Sequence, residues 1–156
     1  MRRVVLFLSA LALAAAVANP AQAAGDDDLP YWVSLTANIV NMRVGPARDY
    51  KIAWVYKRKL LPLKVIRRHE GWRLVEDPDG ARGWVLARFL SRKQTAIVRG
   101  TSAEMRERPG AGRTMWRAEP GVVGRVGKCE SGWCKFDVAG RAAWIDATTI
   151  WGEGKP

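Results

Sequence analysis

Two cysteines, one histidine and a scatter of aspartates are the side chains with most chemistry to offer in this 156-residue chain. The cysteines stand in the run Cys129-Glu130-Ser131-Gly132-Trp133-Cys134. The turn residues between them place the pair opposite each other on the two strands of a hairpin, close enough for a bridge. In an oxidising compartment that spacing predicts a disulfide, closing a short loop and stabilising by about 2 kcal/mol. A redox pair would want C-x-x-C at a helix N-terminus, whereas these cysteines are further apart and in a strand context. A zinc site would need two more ligands, and His69 is the single histidine.

Catalytic sets are equally thin. His69, beside Glu70 and Gly71, is expected at a turn tip in solvent, with no nucleophile to serve. Asp77 and Asp79 flank Pro78 and read as turn formers rather than an acid/base pair. There is no phosphate-binding glycine loop and no H-E-x-x-H. The expectation is a protein that is not an enzyme, with no cofactor and no metal.

What positions these residues is a duplicated unit. The first copy reads Asn41-Met42-Arg43-Val44-Gly45-Pro46, Leu61-Pro62-Leu63-Lys64-Val65, Gly71-Trp72-Arg73-Leu74-Val75, then Asp79-Gly80 and Gly83-Trp84-Val85. The second reads Glu104-Met105-Arg106, Gly132-Trp133-Cys134-Lys135-Phe136, then Ala139-Gly140 and Ala143-Trp144-Ile145. Met42 maps to Met105, Trp72 to Trp133, Trp84 to Trp144 and Leu90 to Ile150, with offsets of 63, 61, 60 and 60. A drift that small is what loop-length differences produce between two copies of one unit. Leu61, Leu63 and Val65 alternate with Pro62 and Lys64, a strand with one buried face. Asp77-Pro78-Asp79-Gly80 is a hairpin turn, and Gly71 and Gly132 mark further reversals. Short strands joined by hairpins in so small a unit predict a closed barrel with Trp84 and Trp144 filling the cores.

The ends and the charge frame these units. Arg2 and Arg3, the apolar run Val4 to Ala18 and the breaker Asn19-Pro20 precede Ala21-Gln22-Ala23, a signal-peptide pattern with the cut after Ala23. The apolar run is too short to span a bilayer. Removing it leaves 24 basic against 15 acidic residues, a net charge of +9. That field favours an anionic partner, and export makes nucleic acid the least suitable one. The chain therefore divides into a signal peptide at 1–23, a lead-in at 24–34, and barrels at 35–92 and 95–152. It is expected in the periplasm or secreted, with no membrane span after cleavage. The junction from Ala87 to Thr101 carries no Gly/Ser-rich linker, so the barrels are expected to pack closely.

The repeat resembles the bacterial Src homology 3 family, in its exported tandem form. The N-M-R-V-G-P run, the L-P-L-K-V strand, G-W-R-L-V followed by D-x-D-G and G-W-V, the second copy's cysteine pair with Gly132-Trp133, and Trp151-Gly152 carry the resemblance. It implies an all-β fold of two tandem small five-stranded SH3-like barrels and, in some members, binding of cell-wall peptides or proteins. By position, Trp72 and Phe89 match groove aromatics of the eukaryotic relatives, which bind Pro-rich peptides. The first loop here is basic, with Arg43, Arg48 and Lys51, and Leu86 stands where a groove proline would be. Pro-rich ligands are therefore not expected. Trp54 is expected to pack in the core. If it is exposed instead, Arg48, Tyr50, Trp54, Trp72 and Phe89 form an aromatic, basic groove for a glycan or an acidic stem peptide. Thr149 replaces Phe89 in the second copy, so any groove there is poorer. The functional expectation is a non-catalytic binding or scaffolding module contacting cell-wall glycan, peptide or an envelope protein. The alternative is an adaptor docking on a partner enzyme or receptor.

Overall fold

The computed structural model describes residues 28–156, so the signal helix and the cut after Ala23 lie outside the described residues. The first unit runs β1 (Tyr31–Leu35), β2 (Val40–Arg43), β3 (Ile52–Tyr56), β4 (Pro62–His69), β5 (Trp72–Glu76), β6 (Arg82–Leu86) and β7 (Leu90–Ser91), with a 3-10 turn over Ala87–Phe89. The second repeats it as β8 (Thr95–Val98), β9 (Ala103–Arg108), β10 (Ala111–Ala118), β11 (Val123–Glu130), β12 (Trp133–Val138), β13 (Arg141–Asp146) and β14 (Ile150–Trp151), with a 3-10 turn over Ala147–Thr149. Among the described residues no helix is long and apolar enough to cross a membrane.

Each unit is one antiparallel sheet, ordered β3-β2-β6-β5-β4-β1-β7 in the first and β10-β9-β13-β12-β11-β8-β14 in the second. Each strand order is open, ending on β3 and β7 in the first sheet and on β10 and β14 in the second. Beyond the five strands expected per unit, a leading strand and a two-residue closing strand join each sheet. Four of the five residues of the first unit's leading strand, β1, fall in residues 24–34, the stretch expected to be a lead-in.

Turn chemistry sets the hairpins. Asp77 Oδ1 accepts from the backbone N–H groups of Asp79 (3.0 Å) and Ala81 (2.9 Å), and Gly80 takes φ +84°, open to glycine at no steric cost. Ser131 and Gly132 both take positive φ between β11 and β12, the geometry of a two-residue hairpin turn. That turn fixes the register in which Cys129 faces Cys134, Cα atoms 4.0 Å apart and sulfurs bonded. The expected disulfide is present.

The cores are mostly aliphatic: Val33, Leu35, Leu63, Val65, Val75 and Val85 in the first unit, and Val98, Met105, Phe136 and Ile145 in the second. Trp84 and Trp144, expected at their centres, are half-buried on the outer face instead. Alternation along the strand explains it. Gly83 and Val85 point inward, and at Gly83 the core side of the sheet is so tight that a Cβ would lie 2.5 Å from Met42 Cγ and 2.9 Å from the Arg43 carbonyl. The large ring between them is left outside, where His69 stands edge-on to Trp84 with 6.1 Å between ring centroids. His69 is exposed at the end of β4.

Three residues, Arg92 to Gln94, separate β7 from β8. Contacts across the junction hold the units together: Thr95 Oγ1 donates to the Leu60 carbonyl (2.8 Å), Arg58 to the Gly121 carbonyl (2.5 Å), and Arg99 pairs with Asp79 (2.8 Å).

Candidate functional site

The sheet of the first unit carries a cavity of about 250 Å³ on its outer side, lined by Ile39, Asn41, Arg43, Arg48, Trp72, Leu86, Arg88 and Phe89. Its floor follows from strand register. Trp72 opens β5 opposite Leu86 at the end of β6, so the indole and the leucine share one spot on the sheet. The 3-10 turn after β6 then swings Phe89 beside them. Arg88 lies over the Phe89 ring, guanidinium carbon 4.8 Å from the centroid, a cation–π contact that orients the charge along the rim.

The other rim comes from β2 and the loop behind it. Arg43 Nη1 donates to the Tyr50 carbonyl (2.6 Å), which fixes that side chain against its own loop. The Tyr50 ring in turn occupies the space a side chain at Gly45 would need, with ring carbons 2.5 Å from the Cβ position. Tyr50 therefore braces Arg43 from outside and does not line the cavity.

Of the five residues expected to form a groove, Arg48, Trp72 and Phe89 come together here and Tyr50 and Trp54 do not. Trp72 is 7% exposed, so only an edge of its ring reaches a ligand. Trp54, expected in the core, is 60% exposed. It stands opposite Met42 in the β2–β3 register on a strand with no neighbour beyond it, so nothing covers its outer side. It faces a separate cleft of about 490 Å³ between the two units, with Asp79, Arg99 and Pro120 around it. Two positions beyond it, Tyr56 is buried, and its hydroxyl lies 3.2 Å from Asp77 Oδ2. Burial, reinforced by the Asp77 charge, pushes the Tyr56 phenol far above its ordinary value, so it remains a neutral donor.

Arg88 is the charged lining residue that sequence reasoning passed over, as it passed over Ile39. The available signal was its adjacency to Phe89, the aromatic matched by position.

The second unit lacks this chemistry at the equivalent places. The partner of Trp133 across the β12–β13 register is Asp146, where Trp72 has Leu86. Asp146 Oδ1 accepts from Thr148 N–H (2.9 Å) and from its hydroxyl (2.7 Å), capping the 3-10 turn in which Thr149 stands for Phe89. Glu104 replaces Asn41, and Arg106 holds its carboxyl below the usual carboxylate range. Among the described residues the first unit thus carries the cationic aromatic cavity, and the equivalent places of the second carry Glu104, Asp146, Thr148 and Thr149.

No curated protein matches the chain. Among solved structures, that of NlpC2 from Trichomonas vaginalis is similar at 12% identity and a TM-score of 0.38, over 81% of this chain and 49% of that one. NlpC1 from Trichomonas vaginalis is similar at 11% identity and a TM-score of 0.36, over 84% of this chain and 49% of that one. The chain thus spans about half the length of these structures. A family profile described as bacterial SH3 domain matches twice, over residues 36–92 and 99–152. Each match begins just after the first strand of one of the two sheets and runs through its last. Profile, repeat and topology agree, and the chain belongs to the bacterial SH3 domain family.

Proposed function

We propose that this protein is a non-catalytic, exported binding module of the cell envelope that holds an anionic wall component, a stem peptide or glycan, in the cavity of its first unit. The observation that carries the reading is the convergence of Arg43, Arg48 and Arg88 with Trp72 and Phe89 on one cavity. Guanidinium groups bind carboxylates in bidentate fashion, and the exposed edge of the Trp72 ring, with Phe89 and Leu86, offers apolar contact to a sugar or peptide. Membership of the bacterial SH3 domain family supports a wall ligand, and the Cys129–Cys134 disulfide supports an oxidising compartment such as the periplasm or the cell exterior.

The test is co-sedimentation of the purified protein with isolated peptidoglycan at low salt. The protein pellets with the wall, and R48E together with R88E releases most of it to the supernatant while leaving the melting temperature unchanged. No pelleting at low salt, or pelleting indifferent to both substitutions, rejects the reading. The adaptor alternative is favoured by a different feature, the apolar surface around β3, where six large exposed hydrophobic side chains lie within residues 39–55.

A further inference from the structure

We propose that the free edge of β3 takes up an extended protein segment as an added strand, apolar at its centre and acidic at its ends. This goes beyond the cavity reading, because β3 itself contributes no residue to that cavity.

The edge is unusual within its own molecule. β3 and β10 occupy the same outer position in the two sheets. Edge strands expose a row of unpaired N–H and C=O groups, and proteins commonly guard them with charge. β10 does so: Arg113 and Arg117 are exposed along it, and Arg117 pairs with Glu104 on β9 at 3.2 Å. β3 reads Ile52-Ala53-Trp54-Val55-Tyr56, with no charge, and its first four residues are exposed on both faces. In register, Trp54 stands opposite Met42 as Trp116 stands opposite Met105, so Val55 fills the place that Arg117 fills in the second unit. One fold thus carries a guarded edge and a bare one. Among the described residues, three of the seven exposed large hydrophobic side chains, Ile52, Trp54 and Val55, lie on this one bare strand.

Charge names the occupant. Lys51 precedes β3, and Lys57 and Lys59 follow it. All three are exposed, and none forms an ion pair among the described residues. A segment with carboxylates at both ends meets these cations while its apolar centre covers Ile52, Trp54 and Val55. Main-chain hydrogen bonds then supply the affinity, and alternate side chains the selectivity. A second copy of this chain fits worse: antiparallel pairing about Trp54 sets Lys51 of one copy against Lys57 of the other, and like charges directly opposite destabilise a strand pair. A lipid surface also fits worse, because hydrocarbon leaves the edge's backbone groups unsatisfied whereas a strand satisfies them.

The test uses the full purified protein and a fluorescein-labelled peptide of alternating valine and threonine with paired glutamates at each end. A second peptide carries lysines in place of the glutamates. The acidic peptide binds, and hydrogen exchange slows at the amides of residues 52–56 when it does. The lysine peptide binds roughly tenfold more weakly, and V55R, which copies the guarded edge, weakens the acidic peptide by roughly the same factor at an unchanged melting temperature. Equal binding of the two peptides, wild-type binding by V55R, or protection confined to other strands overturns the proposal. So does binding to phosphatidylglycerol vesicles with no peptide binding, or dimerisation that V55R abolishes. The assay contains no cell wall, so its failure and failure of the wall reading are separate results.

Discussion

The ring of Trp32, on the first strand of the first sheet, stands edge-on to the ring of Trp151, on the last strand of the second, with 4.6 Å between centroids. The Trp32 indole N–H donates to the Glu153 carbonyl at 3.0 Å. Residues 119 positions apart in sequence thus form a joint at which the two units meet. Aromatic pairs in this geometry contribute beyond the area they bury, and the indole N–H has found a partner. The opposite end of the interface is held by charge, where Arg99 reaches Asp79.

Replacing Trp32 with alanine removes half of this joint. Because the ring is only half-buried, the cost is about 2 kcal/mol, below the range for a fully buried tryptophan. Urea unfolding followed by circular dichroism shows a lower midpoint. Trp151→Ala combined with Trp32→Ala costs less than the sum of the two single changes, by about 1 kcal/mol. Strict additivity would mean that the rings do not act on each other.

The disulfide is a local staple. It closes a short loop across the β11–β12 turn, so reduction, or Cys129→Ser with Cys134→Ser, costs about 2 kcal/mol through the unfolded chain. Calorimetry with and without reductant reads this as a lower melting temperature. An unchanged melting temperature would show that the bridge adds nothing to the paired strands.

Glu76 gives the fold an acid limit. Lys64 Nζ at 2.5 Å and Arg82 Nη2 at 2.6 Å hold its carboxyl below its ordinary value. A depressed folded value means that the stabilisation is fully present above the unfolded value, about 4.3, and is lost as pH falls through the folded one. Asp28, held down by Arg92 and Arg68, and Glu104, held down by Arg106, act with the same sign. Stability therefore declines as pH drops below about 4.3, and Glu76→Gln makes that decline shallower without abolishing it. Denaturant midpoints measured across this range decide the matter: a slope unaltered by Glu76→Gln contradicts it.

Gly83 leaves no room for an added atom on the core side of the first sheet. A methyl group there meets Met42, which can shift, and the Arg43 carbonyl, which is backbone and cannot shift cheaply. Gly83→Ala destabilises by about 2 kcal/mol. Chemical denaturation reads it directly, and a neutral result would mean that β2 can move aside.

Duplication was the most legible feature in the sequence. Met42 and Met105 lie on β2 and β9, Trp72 and Trp133 open β5 and β12, and Leu90 and Ile150 open β7 and β14. The cysteine pair was legible because a turn and a spacing suffice to place it. Trp84 was misread because its size suggested a core, whereas the deciding facts were the neighbours Gly83 and Val85 on the other face. Trp54 was misread because alternation gives a face and not a neighbour: only the sheet order shows β3 at an edge with nothing beyond it. Tyr50 was grouped with the cavity by composition, yet its position depends on the space beside Gly45, which no pattern along the chain reveals.

The brevity of the Arg92–Gln94 connection has one more consequence. Two modules on a loose tether gain avidity by searching a range of separations, whereas these two offer a single, fixed distance between their faces. A polymer or partner that engaged both units would therefore have to carry its determinants at that spacing already.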